Sequence, residues 1–333
     1  MPKKIFVTGG GGFIGRELVK KLLVNGFDVV CYDVGEQLSR HTAFLQALGH
    51  QSSLTVVPGT ILDRIKLQTS MAGVDAVIHL AAMLGVQRTE ENRLRCLETN
   101  VTGTDIVLSA AVFANVKHMI FASSSEVYGE PSTNPITEMH DTKGKTVYAI
   151  SKLAGEELTK GYYQLFPKMN YTIVRFFNTY GEGQVAQFVL AKFVKRVLEG
   201  KSPQVFGDGT QKRSYGHVDD VTDGLLSIIG NPVAYGKIYN LGNSSQLYTL
   251  RQLGEKVIQV LAPTSGLQVE VLGDFNGADR NRAREVFSRY CDATLAQTEL
   301  GFHPKITVEE GIKRIASAGF VHDDWPQEYS ITR

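Results

Sequence analysis

The chain has 333 residues, 43% of them hydrophobic, enough for one large or two moderate domains around a sizeable core. Lys and Arg total 35 against 34 Asp and Glu, a net charge of +1 that argues against nucleic acid or an anionic membrane surface as partner. Cys31, Cys96 and Cys291 lie far apart without metal-ligand spacing, which excludes a disulfide framework or a zinc site and fits a reducing cytoplasm.

Met1-Pro-Lys-Lys runs into a short apolar segment and then glycines, with no apolar stretch long enough for a signal peptide or membrane span, so the first residues are read as part of the fold. Short apolar runs at Lys3–Thr8, Asp28–Tyr32, Leu54–Val57, Ala76–Leu80, His118–Ala122 and Tyr171–Phe176 read as strands buried on both faces. Helical patterns at Phe13–Asn25, Arg64–Met71, Arg93–Asn115 and Val147–Phe166 fall between them. This alternation predicts an α/β fold with a doubly wound, Rossmann-like parallel sheet.

The first strand feeds directly into Gly9-x-x-Gly12-x-x-Gly15, and Phe13-Ile14 opens the first helix. Glycines at such a junction permit a tight turn and let backbone N–H groups approach a pyrophosphate at the positive helix end. Asp33 closes the second strand at the spacing where a carboxylate meets a ribose hydroxyl pair, and it would repel a 2′-phosphate; the expected cofactor is therefore NAD.

Tyr148-Ala-Ile-Ser-Lys152 places a phenol and an amine one turn apart on a helix, where the cation favours the phenolate. A hydroxyl cluster, Ser123-Ser124-Ser125-Glu126, precedes it. Beyond residue 177 the rhythm loosens into helical patterns at Val185–Glu199, Val218–Ile229, Leu250–Leu261 and Val308–Ala318, with short strands at Gln204–Phe206 and Lys237–Asn240. We read residues 1–177 as the cofactor domain, with a return strand near 237–241, and 178–333 as a smaller α/β C-terminal substrate-binding domain.

Thr8–Gly15, His79-Leu-Ala-Ala82, Asn100-Val-x-Gly103, Ser123–Gly129, Tyr148–Lys152, Arg175-Phe-Phe-Asn-Thr-Tyr-Gly181, Phe206-Gly-Asp-Gly209, Arg213 and His217-Val-Asp-Asp220 occur in an order that resembles the extended short-chain dehydrogenase/reductases, the nucleotide-sugar epimerase/dehydratase family. The resemblance implies that Tyr148 is the general base, that Ser124 binds the same substrate hydroxyl, and that Lys152 holds the nicotinamide ribose and lowers the Tyr148 pKa. It places Gly9, Gly12, Phe13, Ile14 and Asp33 on the dinucleotide, Thr60 and Ile61 near the adenine, Ala81 and Ala82 under the nicotinamide ribose, and Asn100 as a buttress of the strand ends. Thr60 departs from the family, which commonly carries Asp there to accept from the adenine amino group. His79 is read as a packed strand-end residue, and Asp219 and Asp220 as structural helix-start carboxylates.

On the substrate side the resemblance assigns Asn178, Arg213 and Arg282 to the diphosphate, with Arg280 a rival for the last, and Phe206 to the base. Glu126 is either an acid or base acting after oxidation or an ion-pair partner. The leading expectation is an NAD-dependent nucleotide-diphosphate-sugar epimerase, a UDP-sugar 4-epimerase, working through a 4-keto sugar. The alternatives are a UDP-glucuronate-type decarboxylase, a 4,6-dehydratase using Glu126 and, remotely, a non-catalytic NAD-sensing protein. A cytoplasmic homodimer joined through Arg93–Asn115 and Val147–Phe166 is implied, although Ile106, Val107, Ala110 and Ala114 could equally pack on the sheet.

Overall fold

The structure, a computed structural model, describes residues 3–48, 52–273 and 284–319. Seven parallel strands form the central sheet: β1 (Lys4–Thr8), β2 (Asp28–Asp33), β3 (Leu54–Pro58), β4 (Ala76–His79), β5 (His118–Ser124), β6 (Asn170–Phe176) and β7 (Lys237–Leu241). Their order is β3-β2-β1-β4-β5-β6-β7. The order reverses between β1 and β4, and a crevice opens there beyond the carboxyl ends of the strands.

Ile5, Val7, Val29 and Ile78 pack with the helix Phe13–Val24 and with Val174, Tyr239 and Leu241 into one core cluster. Phe6, Val30 and Val77 belong to a second, with Ile106, Val107 and Ala110 of the helix Gly103–Phe113. Period-2 alternation across a doubly covered sheet explains why these strands read as unbroken apolar runs. β3 is the exception, an edge strand with Val56 40% exposed. A third cluster gathers the helices Val189–Leu198, Leu250–Leu261 and Val308–Ala318 around Tyr180 and Tyr215.

Several elements differ from the sequence reading. The pattern expected as one helix over Arg93–Asn115 is broken into Arg93–Leu97, a π-helical turn at Glu98–Thr102, and Gly103–Phe113. The wide turn carries Asn100, whose amide bonds across to two other elements, and such local unwinding leaves no trace in hydrophobic periodicity. Gly35–Arg40 and Thr42–Ala47 are short helices that the strand-helix rhythm passed over. Helix Val189–Leu198 begins four residues later than its pattern suggested, after a turn at Val185–Phe188.

Candidate active site

The glycine-rich turn is built by close backbone approach. Gly9 has φ +70°, and a methyl there would lie 2.7 Å from the Ala81 nitrogen. A methyl at Gly15 would overlap the Gly9 carbonyl, so the helix can only start this close to β1 because that residue is glycine. Gly9 N–H donates to Tyr32 O at 2.8 Å, and Gly12 N–H to Gly9 O at 3.0 Å. Phe13 and Ile14 form the first turn of a helix whose N-cap, Gly12, has no side chain to cover its free N–H groups.

Asp33, buried at the end of β2, accepts from Gly11 N–H at 3.0 Å and from Val34 N–H at 2.8 Å. Gly9, Asp33, Thr60, Ile61, Ala81 and Ala82 together line a cleft of about 470 Å³ at the sheet's reversal point. Tyr32, Arg95, Glu98 and Thr99 line it too, and these the sequence reading missed. Glu98 and Thr99 lie in the π-helical turn, and Arg95 in the short helix before it. A neutral Thr60 hydroxyl takes the place of the expected carboxylate and accepts from Leu62 N–H at 3.3 Å.

Asn100 accepts from Met83 N–H at 2.7 Å and donates to Met83 O and Ser151 Oγ, both at 2.9 Å. Its amide is thus spent on joining the loop after β4 to the helix Val147–Leu165, which is a positioning task. His79 is buried between Thr8 Oγ1 at 2.7 Å and Thr104 Oγ1 at 3.0 Å; burial, with help from Lys152, holds its imidazole down to about 3. It is a neutral strand-end residue with both ring nitrogens engaged.

Beside this cleft, the end of β5 meets the helix Val147–Leu165, whose N-cap Thr146 accepts from Ala149 N–H at 3.1 Å. Lys152 is buried, donates to Ala122 O at 2.8 Å and lies 5.9 Å from the centre of the Tyr148 ring. Burial lowers its pKa to about 8 against the opposing pull of Cys96 and Glu156. Ser124 lies beside Tyr148. Burial and the Glu126 carboxylate push its phenol above the ordinary value, and Ser124 and Arg289 pull the other way. The chain by itself therefore keeps Tyr148 protonated.

Glu126 lies in the 3₁₀ turn Ser125–Tyr128, capped by Ser124. It accepts from Thr146 Oγ1 at 3.1 Å and stands 3.7 Å from the buried guanidinium of Arg289. Arg289 is a site cation that the sequence reading missed. It is carried in by the short strand Ser288–Arg289 pairing with Lys212–Ser214, a long-range register with no local motif.

Asn178, at φ +37°, donates to Ser214 O at 2.9 Å and so stands beside Arg213. Arg213 is committed within the chain: Nη2 donates to Glu285 Oε1 at 2.9 Å and to Val286 O, and Nη1 to Lys212 O at 2.9 Å. A diphosphate reaching this guanidinium would share it with Glu285. Phe206 is half-buried, its carbonyl accepting from Gln211 at 3.2 Å. Arg282 and its rival Arg280 lie outside the described residues. Asp220 accepts from Lys305 and Ile306 N–H, each at 3.0 Å, which is structural work.

Among the described residues no group of His, Cys, Asp and Glu could hold a metal ion, and no helix is long and apolar enough to cross a membrane. A glycine cradle, a β2-terminal carboxylate and a bare helix N-terminus around one cleft fit a dinucleotide. The profile of the NAD dependent epimerase/dehydratase family matches residues 5–242, and the chain belongs to that family. It is accordingly an NAD-dependent enzyme.

A UDP-N-acetyl-alpha-D-glucosaminuronate decarboxylase from Bacillus cytotoxicus is 32% identical over 323 residues, covering 94% of this chain and 96% of the relative. A putative UDP-glucose 4-epimerase from Methanocaldococcus jannaschii is 31% identical over 318 residues, covering 94% and 97%. The crystal structure of a UDP-glucuronic acid 4-epimerase from Bacillus cereus, in complex with UDP-glucuronic acid and NAD, superposes with a TM-score of 0.85 at 26% identity, covering 95% of this chain and 98% of that one.

Proposed function

We propose that this enzyme is a nucleotide-diphosphate-sugar 4-epimerase acting on a UDP-sugar. The observation that carries the reading is Ser124, Tyr148 and Lys152 converging at the end of β5, beside the cleft. Bound NAD supplies a two-electron acceptor for the hydride of a secondary alcohol carbon. With the positive charge of bound NAD⁺ and of Lys152 favouring its phenolate, Tyr148 takes the proton from the sugar's 4-hydroxyl as that hydride leaves, and Ser124 orients the hydroxyl. Lys152 holds the nicotinamide ribose and adds positive charge beside the phenol. The 4-keto sugar then turns over and regains hydride on its other face, Tyr148 returning the proton.

The N–H groups around Gly9, Gly12, Phe13 and Ile14 suit the pyrophosphate, Asp33 the adenosine ribose, Thr60 and Ile61 the adenine, and Ala81 and Ala82 the nicotinamide ribose. Asn178 and Arg213 suit the substrate diphosphate and Phe206 the base, with Arg282 the expected second cation. Residues 1–177 with β7 form the cofactor unit, and 178–333 the sugar-nucleotide unit.

A decarboxylase is the second reading. Glu126 held between Thr146 and Arg289 beside Tyr148, and the Bacillus cytotoxicus relative, favour it. Ser125, buried where a dehydratase would need an acid to expel water, speaks against dehydration. NMR of the products formed from UDP-glucose, UDP-glucuronate and GDP-mannose separates the three. Inversion at C4 without loss of mass is expected, whereas release of CO₂ or water would displace the 4-epimerase reading. Tyr148→Phe should cut kcat by about 10³-fold with the chain still folded; near-normal turnover would remove the proposed base.

The enzyme works in the cytoplasm, in keeping with three buried thiols that form no disulfide. It is a homodimer through the helices Gly103–Phe113 and Val147–Leu165. Ile106, Val107 and Ala110 are buried within the chain, so the large apolar groups these helices leave available to a partner are Phe113, 68% exposed, Ile150, 53% exposed, and Leu165, 75% exposed. Light scattering giving a monomer mass would count against the dimer.

A further inference from the structure

The end of β5 and one face of the helix Val147–Leu165 meet in a three-rung ladder. Lys152 Nζ donates to Ala122 O at 2.8 Å, Ser123 Oγ donates to Glu156 Oε1 at 2.5 Å, and the Ser124 hydroxyl lies close enough to Tyr148 to favour its phenolate. Consecutive strand residues thus engage helix residues spaced four apart, which share a face. The Lys152 and Tyr148 rungs carry the proposed reacting pair; the Glu156 rung takes no part in the chemistry.

Glu156 is nevertheless the most heavily bound side chain of the three. It is 1% exposed and gripped by the fork of Arg175 on β6, Nε to Oε1 at 2.9 Å and Nη2 to Oε2 at 2.6 Å. Arg175 Nη1 donates to Tyr128 OH at 2.9 Å, and that hydroxyl donates to Asn240 Oδ1 on β7 at 2.7 Å. One buried carboxylate therefore ties the helix to β5 and β6 and, through Arg175 and Tyr128, to β7. A buried ion pair is a poor source of net stability, and its better-attested use is to select one register among several.

We propose that Glu156 is a positioning residue for the reaction: it fixes the rotation and register of the helix against β5 and keeps the Lys152 amine charged. This rests on the reading of Tyr148 and Lys152 as the reacting pair. The groups facing Lys152 are Cys96 of the helix Arg93–Leu97, His79 of β4, the Phe121 ring of β5 at 5.1 Å, and Tyr148 and Glu156 of its own helix. The Cys96 thiol is pushed up by burial and the His79 imidazole is held neutral, so Glu156 supplies the negative charge among them. Its removal leaves the burial that lowers the Lys152 amine to about 8 less opposed.

The test follows the Lys152 ammonium directly, by ¹⁵N NMR of lysine-labelled full-length protein with the signal assigned through Lys152→Arg. Glu156→Gln/Arg175→Gln removes the ion pair as a unit, so neither of its partners is left buried without the other. It should lower the titration midpoint of Lys152 by about half a pH unit or more and reduce kcat about tenfold, with KM held within about threefold. Glu156→Asp, which keeps the charge on a shorter arm, should restore the midpoint but only part of kcat. A wild-type midpoint in the folded double variant overturns the proposal, because a merely structural carboxylate would not move it.

If the double variant does not fold, Ser123→Ala removes the same rung without touching a charge and should lower kcat several-fold at unchanged KM; wild-type kcat there overturns the proposal as well. Full turnover in Tyr148→Phe would defeat the catalytic reading alone, since the Lys152 midpoint is read without turnover.

Discussion

At the scale of the residue, the site is a set of ionisable groups forced into places that their charges do not favour. Lys152 is the clearest case, buried and with its pKa lowered to about 8. Below that value the folded state bears the full cost of holding an ammonium out of water; the cost declines as pH rises from about 8 toward the unfolded value. Lys152→Met should abolish turnover yet raise unfolding free energy at pH 7, by up to about 3 kcal/mol less the lost bond to Ala122. Urea titration reads this, and a destabilised variant would contradict it. His79 and His118 run the other way on acidification: burial lowers them to about 3 and about 4, so the unfolded chain binds protons first as pH falls below its histidine range. Stability should then drop between pH 7 and pH 5 with a slope of up to about 1.4 kcal/mol per pH unit for each imidazole. A flat urea midpoint over that interval would refute it.

At the scale of the element, the cofactor cradle depends on backbone approach. Gly9→Ala demands a left-handed φ of a residue with a side chain and drives a methyl to 2.7 Å from the Ala81 nitrogen. The backbone strain alone costs about 1–2 kcal/mol, and the turn must also shift away from β4. Calorimetry should show NAD affinity reduced by at least about tenfold and a lower melting temperature; unchanged affinity would mean that the cradle tolerates the displacement. The helix Val147–Leu165 is held at its start by Thr146, which also donates to Glu126, and by Glu90 accepting from Val147 N–H at 3.1 Å. Its cap and its catalytic face thus share one hydrogen-bond system. An end that would fray in isolation is fixed here.

At the scale of the whole molecule, the chain's halves are interleaved. β7 comes from beyond residue 177 and completes the sheet beside β6, with Tyr239 and Leu241 fully buried and Asn240 accepting from Tyr128. Arg16 on the first helix donates to Gly183 O at 3.0 Å, and Lys21 pairs with Asp219 at 3.1 Å and Asp223 at 2.5 Å, further ties between the first helix and the later chain. A fragment ending at residue 177 would lose about 2 kcal/mol for each missing large apolar side chain of β7 and expose β6 as an edge. It should show no cooperative unfolding transition by calorimetry; a sharp transition would mean that the cofactor unit folds without its return strand.

The sequence by itself determined whatever is written in local periodicity and spacing. The six strands and main helices of the first half stand out because a doubly covered parallel sheet demands unbroken apolar runs, and the glycine turn, Asp33 and the Tyr148–Lys152 pair lie within single segments. The unwound turn at Asn100 left no such mark, because an extra residue in a helical turn changes hydrogen bonding without changing which residues are apolar. Only the tertiary structure brought Arg289 to Glu126, turned Arg213 toward Glu285 and bound Glu156 to Arg175. Those pairings join segments from 19 to 163 residues apart, and the register of one strand or helix against another fixes them. Charge meets charge across such distances through packing, which no local pattern encodes.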